Sequence, residues 1–174
     1  MSADVKGEIV FDSPWFQVVA KNSPDHDQPL YFINAPDFVA VVALDAQKRL
    51  LLVRQFRPAL NSFTLEPPAG HVEIGETPEE AAHKELVEET GYEADKLELI
   101  AKLSPSTARF TNKLWVYFAA DVRLAVSPKH TREAGVESVL YEGNARALLA
   151  EPEFFATGAL ACIFAAVAKG KLPL

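Results

Sequence analysis

Three carboxylates crowd into Lys84-Glu85-Leu86-Val87-Glu88-Glu89. On an α-helix, at about 100° per residue, Glu88 and Glu89 lie about 300° and about 400° around the axis from Glu85, so all three share one face within roughly one turn. Local physics opposes this arrangement. Glu85/Glu88 and Glu85/Glu89 are like-charge pairs at i,i+3 and i,i+4, each costing roughly 0.2–0.5 kcal/mol. Glu88 and Glu89 also fall in the last turn, where the helix dipole favours cations. Two readings fit the pattern. One is a solvated acidic face. The other is a set of hard oxygen donors for Mg²⁺ or Mn²⁺, which removes the conflict and suits an ion shared with substrate phosphates.

The helix that carries these residues is well marked. Thr77 is a natural N-cap, Pro78 sits at the first helical position, Glu80 completes a Thr-x-x-Glu capping box, and Gly91 stands where a left-handed residue ends the helix. Pro67-Pro68-Ala69-Gly70 leads in and breaks regular structure. Upstream, Gly7 to Phe11, Trp15 to Lys21 and Leu30 to Asn34 read as short strands. Phe38 to Leu44 and Arg49 to Gln55 read as a buried hairpin, and Phe63 to Glu66 as one more strand. Downstream, Leu97 to Leu103, Lys113 to Asp121 and Val136 to Tyr141 are strand-like, while Asn144 to Ala150 and Glu153 to Lys169 read as helices. Strands and helices in this mixed order predict an α/β sandwich. Residues 1–36 are expected to form a separate N-terminal β segment and 37–174 the main domain.

Composition bounds the function. The chain has 174 residues, 49% of them hydrophobic and 24% charged, which is an ordinary globular balance. A net charge of −7 disfavours non-specific nucleic-acid binding, which needs clustered Lys and Arg. A single Cys excludes an intrachain disulfide framework and a Cys-rich zinc site, and is compatible with a reducing cytosol. The first residues lack an apolar core of signal-peptide type. The longest apolar stretch, Phe154 to Ala168, is shorter than the roughly 20 residues of a membrane span and reads as a buried helix. A cytoplasmic protein with no membrane partner is expected.

Gly70, Glu76, Glu85, Glu88, Glu89 and Gly91 fall at the fixed positions of the Nudix box, and Leu86 at its aliphatic position. The 23 residues from Gly70 to Tyr92 thus resemble that family's signature. Lys84 replaces the family's Arg and Tyr92 an aliphatic residue. Weaker likeness extends through Leu51-Leu52-Val53-Arg54-Gln55-Phe56-Arg57-Pro58 and Leu65-Glu66-Pro67-Pro68-Ala69-Gly70. Those stretches resemble the ADP-ribose and nucleoside-diphosphate-sugar pyrophosphatase branch.

The resemblance implies an α/β/α sandwich around a mixed sheet, with a small antiparallel N-terminal sheet that pairs a homodimer. It implies metal-dependent hydrolysis of the diphosphate bond of ADP-ribose or a related nucleotide sugar. A nucleoside triphosphate or dinucleoside polyphosphate substrate, or a non-catalytic nucleotide-binding module, are the alternatives. By the same analogy Glu85, Glu88, Glu89 and the Ala69 carbonyl hold Mg²⁺ or Mn²⁺. Gly70, Glu76, Lys84 and Gly91 support the box. Lys cannot reproduce the two-pronged contact of Arg, so a looser hold and lower activity are expected. A general base is expected from Glu133, with Glu137 second and Glu88 as the helix alternative. Arg57 is the first candidate to grip the diphosphate, followed by Arg54 and Arg109.

Overall fold

The computed structural model describes residues 7–126 and 133–174. Three short antiparallel strands come first, β1 (Glu8–Asp12), β2 (Gln17–Lys21) and β3 (Leu30–Asn34). The larger sheet comprises β4 (Phe38–Asp45), β5 (Leu50–Arg57), β6 (Ser62–Glu66), β7 (Ala69–His71), β8 (Tyr92–Glu93), β9 (Glu98–Leu103), β10 (Leu114–Leu124) and β11 (Val136–Tyr141). The helices are α1 (Pro78–Thr90), α2 (Ala145–Leu148) and α3 (Thr157–Ala168).

Strand β4 is apolar at almost every position because both of its faces are covered. Val39, Val41 and Ala43 pack with Ala81, Ala82 and Leu86 of α1. Ala40, Val42 and Leu44 pack with Ala159, Cys162, Ile163 and Ala166 of α3. The alternation of a strand thus divides the core in two, with one helix on each side of the sheet. Pairing is parallel between β4 and β10 and antiparallel elsewhere, so the sheet is mixed. This is the expected α/β/α sandwich with its small antiparallel sheet.

The β4–β5 pair is shorter than the sequence predicts. Only Ala43↔Leu51 and Leu44↔Leu50 are in register before the strands part. β5 then pairs with β6 and β11, and β4 with β7 and β10. Pro68, on the segment that leads from β6 into β7, accepts from the Val41 amide at 2.9 Å. Ala69 and Gly70, read as the end of a break in the sequence, therefore form with His71 a short strand on β4 through Ala40↔Ala69, Val39↔Gly70 and Phe38↔His71. The last helix begins at Thr157 rather than Glu153. The residues before it are used otherwise: the Leu65 amide donates to the Glu153 carbonyl at 2.8 Å.

The N-terminal sheet meets the rest of the molecule through β3. Ile33 bridges Phe110, and the Thr111 hydroxyl donates to Asn34 Oδ1 at 2.9 Å. Just beyond, buried Asp37 accepts from the Lys113 amide and from Trp115 Nε1, at 2.8 and 2.9 Å. No helix among the described residues is long and apolar enough to cross a membrane.

Candidate functional site

Helix α1 is fixed at both ends, as its sequence predicts. The Thr77 side chain accepts from the Glu80 amide, the Glu80 carboxylate accepts from the Thr77 amide at 2.8 Å, and Gly91 closes the helix at φ 75°. Leu86, Ala81 and Ala82 are buried against β4. Glu85 and Glu89 face the β7 backbone instead, and the Glu88 carbonyl meets the end of the segment before β11.

The closest approach is at Gly70. A Cβ there would fall inside the Glu85 carboxylate, far below the 3.0 Å that real contacts respect. Only glycine leaves Glu85 its place. One residue earlier, the Ala69 amide donates to Glu89 Oε2 at 2.7 Å. The box glycine and its neighbour therefore present main chain directly to two of the three carboxylates. The Glu133 amide donates to the Glu88 carbonyl at 2.8 Å. That bond satisfies one of the orphan carbonyls of the last helical turn, and it brings Glu133 close enough to act electrostatically on Glu85 and Glu89. The chain from 127 to 132, which includes His130, lies outside the described residues.

The cluster is held under electrostatic load. Burial, then the neighbouring charge of Glu88, pushes the Glu85 carboxyl up to about 7 despite the opposing Lys84. Burial pushes Glu89 up to about 8; Glu85 and Glu133 add to the rise, while the Ala69 amide and Arg57 work against it. In the unfolded chain both groups ionise near 4.5. As pH rises above that value the unfolded state loses protons first, so metal-free stability falls up to about pH 8 and then levels off. Melting curves in EDTA at about pH 6 and about pH 8 are expected to show the drop and Glu89→Gln to flatten it. Equal slopes for the two proteins would remove Glu89 as its source.

An all-oxygen donor set of this kind, crowded and short of compensating charge, suits a hard divalent cation. Among the described residues, no three Asp, Glu, His or Cys side chains surround a single point at ligand distance. Glu89 instead turns an oxygen to the main chain, and Glu85 lies over Gly70.

Lys84 faces the loop between β7 and α1. Its ammonium lies 3.0 Å from Glu73 and 3.1 Å from Glu76. Glu76 also accepts the Glu73 amide at 3.0 Å. Lys84 thus spreads over two carboxylates rather than gripping one in a planar fork. Glu73 carried no signal in the sequence, because a single acidic loop residue looks like any solvated charge.

The three arginines are in different situations. Arg57 Nε donates to Glu66 at 2.9 Å, and its charge reaches Glu89. Arg54 makes a two-pronged pair with Glu153 at 2.6 and 2.8 Å, lies 4.0 Å over the Phe63 ring, and sits 3.8 Å from Glu137. Arg54 is therefore engaged with Glu137 and with the chain before α3. Arg109 is exposed, in the loop that docks on β3. A cleft of about 1280 Å³ opens beside the β7–α1 loop, with Trp15, Phe16, Asn34, His71 and Glu76 on its walls.

The NUDIX domain family matches residues 35–152. The ADP-ribose pyrophosphatase of Bacillus subtilis is 38% identical over 90 residues, covering 52% of this chain and 49% of that protein. The ADP-sugar pyrophosphatase of Mus musculus is 51% identical over 57 residues, 33% of this chain and 24% of that one. The chain thus spans half or less of the length of these curated relatives. A solved structure of an ADP compounds hydrolase superposes with a TM-score of 0.74 over 94% of this chain and 93% of that chain, at 23% identity, a likeness of fold. The family match takes in every residue of the cluster, from Arg57 through Gly70 and α1 to Glu133: the chain belongs to the NUDIX domain family.

Proposed function

We propose that the protein hydrolyses the diphosphate bond of ADP-ribose or a related nucleoside diphosphate sugar, giving a nucleoside monophosphate and a sugar phosphate. One observation carries this reading: on one helix Glu85 lies over Gly70 and Glu89 accepts the Ala69 amide, while the Glu88 carbonyl accepts the Glu133 amide and the charge of Arg57 reaches Glu89. The relatives named above, over 49% and 24% of their lengths, support the substrate class.

In this reading Glu85, Glu88, Glu89 and the Ala69 carbonyl hold a divalent cation, Mg²⁺ or Mn²⁺. Such an ion, when bound, neutralises diphosphate oxygens and lowers the pKa of attacking water. Arg57 holds the non-bridging oxygens of the diphosphate through its terminal nitrogens. Glu133 takes the proton of the water that attacks phosphorus, as the P–O bond to the leaving phosphate breaks and the pair of electrons goes to that oxygen. Glu133 precedes Glu137 for this role because Glu137 faces Arg54. Arg54 and Arg109 stand behind Arg57 for the same reason of placement. Lys84, Glu76, Gly70 and Gly91 hold the box.

The reading extends to two further properties. Within the N-terminal segment, β1–β3 form a dimerisation sheet, supported by a β1 exposed along its whole length, Ile9 and Phe11 included, and by the exposed Trp15 that follows it. Sedimentation is expected to give twice the 19.1 kDa of one chain, and a monomer at micromolar concentration would refute it. We also propose a cytoplasmic location, with which a single cysteine that forms no intrachain disulfide is compatible; cell fractionation tests it.

Incubation of ADP-ribose, GDP-mannose, UDP-glucose and dNTPs side by side with Mg²⁺, with products separated by chromatography, decides the substrate. AMP and ribose 5-phosphate from ADP-ribose are expected. Turnover of dNTPs alone would overturn the assignment in favour of a triphosphate substrate.

A further inference from the structure

Arg57 is at the wrong end of its hairpin to serve the carboxylate cluster unaided. In the β5–β6 register it stands opposite Ser62, while Glu66, which leads into Pro67-Pro68-Ala69, stands opposite Val53. Four residues of strand, roughly 13 Å, separate the two ends. Yet Arg57 Nε donates to Glu66 Oε1 at 2.9 Å. Its side chain must therefore run back along the strand pair. Residues 62, 64 and 66 point to one face of β6 and residues 53, 55 and 57 to the matching face of β5, so Thr64 lies on that path. The Thr64 hydroxyl is fully buried and donates to the same Glu66 oxygen at 2.6 Å.

We infer that Thr64 and Glu66 are positioning residues, a clamp that folds the Arg57 side chain back toward α1 and so sets where the site grips a diphosphate. The inference rests on the proposed role of Arg57 in diphosphate hydrolysis. The Arg57 side chain is 39% exposed, whereas that of Glu66 is 16% exposed, so without its anchor the guanidinium has solvent to extend into. One oxygen receives both donors, so the Thr64 hydroxyl helps to fix the carboxylate that Arg57 meets. The terminal guanidinium nitrogens remain for an anionic ligand, and the charge they carry reaches Glu89. Glu66 and Thr64 have no place in the box and no spacing that marks them. They are linked to Arg57 only by cross-strand register.

Two readouts test the clamp. The first is the Arg57 Nε–H cross-peak in a ¹⁵N–¹H spectrum of the whole chain, assigned by its loss in Arg57→Lys. Thr64→Val and Glu66→Ala are expected to move it to the position of a solvated arginine, while Glu66→Gln, which keeps an acceptor oxygen, retains it. The second is kinetic. With ADP-ribose and Mg²⁺, Thr64→Val and Glu66→Ala are expected to raise KM roughly tenfold with kcat changed less, and to lose this effect in an Arg57→Ala background. Mn²⁺ affinity is expected to be unchanged in both variants. An unmoved cross-peak, or the same KM penalty with and without Arg57, would overturn the clamp. Absence of nucleotide-sugar turnover by the wild-type chain would instead sink the proposed function, and the cross-peak would still decide the clamp.

Discussion

Glu89→Gln is expected to reduce ADP-ribose turnover by roughly 10³-fold or more. The substitution removes a charge from the most buried of the three carboxylates, 3% exposed, while keeping an oxygen to accept the Ala69 amide. Cation-assisted reactions draw several kcal/mol of transition-state stabilisation from the ion, and each 1.4 kcal/mol is about tenfold in rate. Losing a charged donor therefore removes decades of rate. Stability should move the other way. Burial and the charges of Glu85 and Glu133 make ionised Glu89 unwelcome, so the metal-free variant is expected to melt higher than the wild type at about pH 8. Steady-state kinetics with Mg²⁺ and melting curves in EDTA check the two halves together. Wild-type turnover in the variant would remove Glu89 from the cation site. A lower melting point would mean that its ionised form is supported by something other than a cation.

Gly70→Ala is the second large effect, and it separates function from folding. The added methyl must occupy the space of the Glu85 carboxylate. That carboxylate is the free end of a flexible side chain, so it can swing away at little cost to the fold. The backbone at Gly70 is an ordinary strand paired to Val39, which alanine adopts without strain. Stability is expected to change by less than about 1 kcal/mol, as for a tolerated surface substitution, while turnover falls roughly 10²-fold or more because one donor has left its position. Chemical denaturation and kcat measured on the same preparation test this. A collapse of stability would mean that Gly70 serves packing alone. Unchanged turnover would mean that Glu85 has no part in the reaction.

Much of this could be read from the sequence where the cause was local. Caps, a first-turn proline and a closing glycine define α1 because each acts within a few residues. The continuous apolar run of β4 announced a strand covered on both faces. The three-carboxylate face followed from helical spacing alone. What could not be read depends on partners distant in the chain. Ala69 to His71 becomes a strand only because β4 lies beside it. The start of α3 is set by Glu153, whose carbonyl is taken by Leu65 and whose carboxylate is taken by Arg54. Arg54 and Arg57 sit three residues apart, and nothing in their spacing shows that one is bound to Glu153 and the other to Glu66. Glu73 takes meaning from Lys84, eleven residues away across a loop. Lys84, for its part, divides its charge between two carboxylates at 3.0 and 3.1 Å.

The clamp on Arg57 and the crowding on α1 have a common logic. Both place a charged group away from where its side chain would rest unaided, the one by cross-strand hydrogen bonds, the other by a well-capped helix. Both gain from a ligand: an anionic diphosphate for Arg57, a cation for the glutamates.

Titration of the protein with Mn²⁺, followed by electron paramagnetic resonance, tests that account most directly. The wild-type chain is expected to bind at least one Mn²⁺ at about pH 8, and Glu89→Gln and Gly70→Ala each to weaken binding by roughly tenfold or more. Equal binding by all three proteins, or none by the wild type in the presence of a non-hydrolysable ADP-ribose analogue, would contradict the assignment of the carboxylate face to a divalent cation.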